Sequence, residues 1–164
     1  MTSPITNLPA PSWLRELAHG RANYEELLGW PVAVQVGDRT LTVATGQTVD
    51  AVSMPASLGM LVRRDLGIAM LCGPVVADPA GARWTFLTKP FETLRSTITS
   101  DLHHLDVDVV PHGGHVAIPT DPHTCTGARW RWIDEPRPSR ALPPAYAVIA
   151  VTRRIIDHDH PLAA

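Results

Sequence analysis

The chain has 164 residues, enough for one domain with its own apolar core. Its formal charge of −2, with Lys89 as the single lysine, gives no global pull toward nucleic acid, so such a role needs a local arginine patch. Cys72 and Cys125 form no CxxC pair, which excludes a structural zinc site of ordinary spacing, and neither a secretory start nor a membrane-length apolar run occurs, so a cytoplasmic protein without a membrane partner is expected.

In chain order, residues 1–11 are proline-rich and read as a flexible lead-in to a single domain over 12–156, with a frayed tail over 157–164. Ser12 reads as the cap of a helix whose apolar stripe runs through Trp13, Leu17, Tyr24 and Leu28 and stops at Gly29. Strands at 30–36 and 39–44 follow, joined at Gly37-Asp38. A proline-started helix is expected over 55–66, then a buried strand from Gly67 with a Gly-Pro bend and an extension to Asp78. "RWTFLT" (83–88) reads as a strand and 91–100 as a short helix. "LDVDVV" (105–110) alternates as a strand with Asp106 and Asp108 on one face. "HVAIP" (115–119) continues it after a glycine turn. "GARWRWI" (127–133) reads as a strand with Trp130 and Trp132 on one face and Arg129 and Arg131 on the other. A proline-rich connector (136–144) leads to a closing helix over 145–156. The order implies an α+β domain with a mixed, largely antiparallel sheet flanked by helices.

Two chemistries compete for the polar residues. Carboxylates two apart on a strand sit about 7 Å apart at their backbones and can share hard cations. Asp106 and Asp108 are therefore candidate ligands for magnesium or manganese, with His115 beside them; an ordinary acidic strand surface is the alternative. Arg129, Arg131, Arg137 and Arg140, interleaved with tryptophans, are candidates for phosphate contacts beside stacked bases. No Walker-type phosphate loop and no GxGxxG is present.

The segment from Asp108 to Tyr146 resembles the closing part of bifunctional primase-polymerase (prim-pol) domains. The shared order is an aspartate, a Gly-Gly pair (Gly113-Gly114), a strand ending in proline (Val116 to Pro119), His123 with Gly127, Trp130 with Trp132, and Leu142-Pro143 before a final helix. "LLGWPVAVQV" resembles the family's opening. The resemblance implies three motifs: an Asp-x-Asp strand, a small residue followed by x-His, and a further aspartate. The first falls on "GPVVADPAG", where Asp78 is present but Val76 takes the other carboxylate position. The second falls near Trp84, with no histidine close in sequence, and the third on Asp108. An alternative placement uses Asp106 and Asp108 as the first motif and His115 as the second, against the order of the surrounding segments. The resemblance therefore implies a degenerate prim-pol-like domain that binds nucleotide or single-stranded nucleic acid, with no cofactor. The alternatives are an active nucleotidyltransferase using magnesium or manganese, and a non-catalytic module for a protein partner.

Overall fold

The computed structural model describes residues 9–92 and 94–159. The fold is α+β, as the element order implied, but the strands form two antiparallel sheets rather than one. Helix α1 (Ser12–Leu28) leads into β1 (Val32–Gln35) and β2 (Thr40–Ala44). β3 (Asp50–Pro55) runs straight into α2 (Ala56–Ile68). β4 (Val75–Ala77) and β5 (Arg83–Thr88) form a hairpin, followed by α3 (Ser96–His104). β6 (Asp108–Val109), β7 (His115–Ile118), β8 (Arg131–Asp134) and α4 (Ala145–Asp159) complete the chain. The small sheet has the order β1-β2-β7, and the large one β6-β3-β5-β4-β8.

Alternation along the strands of the large sheet divides the core. Ala51, Val76, Leu87 and Trp132 face the small sheet and α1. Val52, Met54, Val75 and Phe86 face α2, α3 and α4. α1 and the small sheet thus share one core with one face of the large sheet, and α2, α3 and α4 cover its other face. α2 is pinned to β8 by the Arg63 guanidinium, whose Nη2 donates to Asp134 Oδ1 at 2.8 Å. It is pinned to α4 by Arg154 Nη2 donating to Asp65 Oδ2 at 3.1 Å. Hydrogen bonding from Arg64, then from Arg154, holds the Asp65 carboxyl below its ordinary range.

α1 is joined to both sheets by Tyr24. Its hydroxyl donates to the Pro119 carbonyl at 2.9 Å and accepts from Trp132 Nε1 at 3.0 Å. The ring is fully buried, and that burial pushes the phenol well above its usual range. Trp30 stacks parallel to it, with centroids 6.2 Å apart. One turn earlier Gly20 crosses the 119–120 backbone so closely that a Cβ there would lie 1.9 Å from the Thr120 oxygen. Gly20 is the crossing point itself.

Helix ends explain most departures from expectation. Ser12 is the first helical residue of α1; Pro11 takes the cap position and no side chain caps it. Pro55 likewise precedes α2 as the last residue of β3. The strand expected from Gly67 is the end of α2, closed by a Schellman motif with Met70 in the left-handed position at φ 57°. Leu71 N–H donates to Leu66 O at 2.8 Å and Met70 N–H to Gly67 O at 3.1 Å. The same motif closes α3: Val107 N–H donates to Leu102 O at 2.9 Å and Asp106 N–H to His103 O at 3.0 Å, with Asp106 at φ 58°. "LDVDVV" is therefore not one strand, because Asp106 belongs to a helix cap and pairing starts at Asp108. The helix expected over 91–100 begins at Ser96 and ends at His104. Residues 157–159, expected to fray, belong to α4; residues 1–8 of the expected flexible lead-in and residues 160–164 lie outside the described residues.

Two outcomes follow for chemical denaturation. Gly20→Ala should lower stability by about 1–3 kcal/mol, since its methyl meets backbone rather than a movable side chain. Met70→Gly should raise it by roughly 0.5–1 kcal/mol, because a 90 % exposed side chain leaves a left-handed site that glycine tolerates.

Candidate functional site

The polar cluster around Asp108 is built on three neighbouring strands. β6 sets Asp108 opposite Ser53 on β3, and β5 sets Arg83 opposite Pro55 on the other side of β3. Ser53 is small, so the arginine stem crosses β3 above it, with Nε donating to Ser53 Oγ at 3.3 Å. Arg83 Nη1 then donates to Asp106 Oδ1 at 2.8 Å and Nη2 to Asp108 Oδ2 at 3.2 Å. Nη2 also donates to the Asp106 carbonyl at 3.1 Å, which anchors the α3 cap. The second oxygen of Asp108 lies 2.8 Å from His103 Nδ1. Asp106 and Asp108 are thus brought together as the sequence suggested, by a helix cap rather than a shared strand face.

A guanidinium bonded to both carboxylates supplies the positive charge that a cation would supply. Two-metal catalysis needs dense carboxylate charge around ions about 4 Å apart. Here a fixed side-chain charge already neutralises one of the two acids. Among the described residues no group of three or more His, Cys, Asp or Glu side chains is arranged to hold a metal ion. The residues present do not fit a magnesium or manganese pair, and magnesium in particular demands several oxygen ligands in near-octahedral array.

The remaining candidates separate. Asp78 serves the β4–β5 turn: its Oδ1 accepts the Arg83 N–H at 3.1 Å and its carbonyl accepts the Gly81 N–H at 2.9 Å. Val76, at the expected carboxylate position, is fully buried in the core. Trp84, at the expected histidine position, packs with α2, where a Cβ on Gly59 would lie 3.1 Å from it. His115 is exposed on β7 in the other sheet, opposite Ala44. The arginines do not form one track. Arg131 is half-buried, with Nη1 donating to the Asp78 carbonyl at 3.3 Å. Arg137 and Arg140 line a groove beside Leu27 and Trp30. Arg129 lies with Trp130 in a different cleft of about 370 Å3, walled also by Trp13 and Arg39. Trp130 precedes β8 instead of sharing a strand face with the buried Trp132.

Two features escaped the sequence. Sequence pattern marks Arg83 only as the start of a strand; its position directly after the Asp78 turn is the available signal. β3 was not anticipated at all, because it opens with Asp50, which is wholly buried. Asp50 Oδ2 accepts the Phe91 N–H at 2.9 Å and lies 3.0 Å from His112 Nε2. His112, on the Gly113-Gly114 turn, therefore has a structural partner rather than a place beside Asp108.

No protein-family model, no curated protein and no solved structure matches the chain.

Arg83→Met retains the stem and removes the charge. Its stability cost should stay within about 1 kcal/mol, since the cluster is solvent-exposed. Added magnesium should then raise the melting temperature of the variant and not that of the parent; an equal rise in both would show that Arg83 does not block a cation.

Proposed function

We propose that this chain is a prim-pol-like domain that does not catalyse nucleotidyl transfer and acts by binding nucleotide or single-stranded nucleic acid. The observation that carries the first half is the Arg83 guanidinium bonded to both Asp106 and Asp108. It stands where the alternative motif placement would seat a cation, and the third member of that placement, His115, sits on the other sheet. The order of segments resembling prim-pol domains supports the scaffold. The binding half is supported by the exposed Arg129 beside the half-buried Trp130, and by the exposed Arg137 and Arg140 along a second groove. An arginine–tryptophan pair of this kind suits single strands, whose bases offer π-faces and whose phosphates offer charge.

The test is a primer-extension and primer-synthesis assay with manganese, run beside fluorescence anisotropy on a labelled single strand. The reading expects no product and binding that weakens as salt rises. Template-directed product that disappears in Asp108→Asn would contradict the non-catalytic half; no binding at low salt would contradict the other.

A further inference from the structure

The cleft between α1, the β1–β2 turn and the 119–130 segment has the chemistry of a stacking site. Trp13 and Trp130 are both half-buried and pack against the core. Their indoles are thus held in place before any ligand arrives, so little side-chain entropy is lost on binding. Arg39 occupies a left-handed backbone position at φ 50° in the β1–β2 turn, an unusual cost for a non-glycine residue. From there its guanidinium lies over the Trp13 ring, 5.0 Å from the centroid, so one flat cationic group already uses this surface. Arg129 stands exposed at the rim.

The lining also contains Glu16 and Asp38, so its formal charges cancel against Arg39 and Arg129. A polyphosphate would find no net attraction there. A flat ring with amino donors would find aromatic walls, carboxylate acceptors for those donors, and an arginine for one attached phosphate. The volume of about 370 Å3 is within the range of small-ligand pockets, roughly 300–1,000 Å3. We infer that this cleft holds a single unpaired nucleobase carrying an exocyclic amino group, with Trp130 as its stacking platform and Arg129 on the adjoining phosphate. The inference rests on the nucleic-acid reading above and assigns it a site away from the Arg83 cluster.

The experiment measures binding of a short oligodeoxycytidylate to the whole chain, against an abasic strand of equal length. The two share every phosphate and differ only in bases. Stacking predicts that the abasic strand binds roughly ten-fold or more weakly. Trp130→Leu, which keeps an apolar side chain and removes the π-face, should weaken the oligodeoxycytidylate roughly ten-fold, and Arg129→Glu should weaken it too. Melting curves check that both variants fold, and the abasic comparison needs no variant. Cytidine monophosphate displacing the strand assigns the cleft to a single nucleotide; displacement only by a second strand assigns it to nucleic acid. Equal affinity for both strands, or undiminished binding by a folded Trp130→Leu, overturns the site while leaving binding through Arg137 and Arg140. No binding of strand or monophosphate overturns the site together with the reading it rests on.

Discussion

The Tyr24 hydroxyl joins α1 to both sheets of this protein. One side chain on α1 reaches the end of β7 through the Pro119 carbonyl and β8 through the Trp132 indole. Both bonds are buried, so removing the hydroxyl strands a donor and an acceptor away from water, at about 1–3 kcal/mol for each. Gly20 enforces the same geometry by exclusion, because no larger residue lets α1 approach Thr120. The position of α1 is what brings Trp13 across from Trp130 and closes the cleft. A constraint in the core therefore sets the shape of a surface site.

The cluster at the other end of the large sheet follows a different logic. Two acids with a guanidinium between them form a self-contained network, exposed enough that it adds little stability. Its consequence is electrostatic. A divalent ion arriving at Asp108 must displace Arg83 Nη2 from one carboxylate oxygen and His103 from the other. Asp106 is equally engaged, and its backbone is committed to capping α3. Asp108 is thus surrounded by donors of the chain's own.

How much of this was legible depended on whether a residue obeyed its own propensity. α1 was readable to its end because Gly29 sits in the left-handed cap, as its lack of a Cβ favours. α2 and α3 also end in a left-handed residue, but with Met70 and Asp106 in that position, so the strand expected from Gly67 covers the tail of α2 and the strand expected from Leu105 covers the cap of α3. β3 hid behind Asp50, since a carboxylate at a wholly buried strand position is intelligible only once Phe91 and His112 are seen beside it. The pairing of Asp106 with Asp108 was anticipated; Arg83 between them was not, because it reaches them across β3 and no local pattern records a cross-strand diagonal. Strand alternation puts Trp130 and Arg129 on opposite faces; both instead precede β8 and line one cleft, with Trp13 and Arg39 from far earlier in the chain.

The central claim is that Arg83 holds the place of a metal. Manganese titration of the unmodified chain, followed by electron paramagnetic resonance, tests it most directly because only the free aquo ion gives the sharp spectrum. The account predicts that the free-ion signal grows from the first addition, with no stoichiometric loss to the protein. Loss of signal equivalent to two ions per chain, restored by Asp108→Asn, would contradict it.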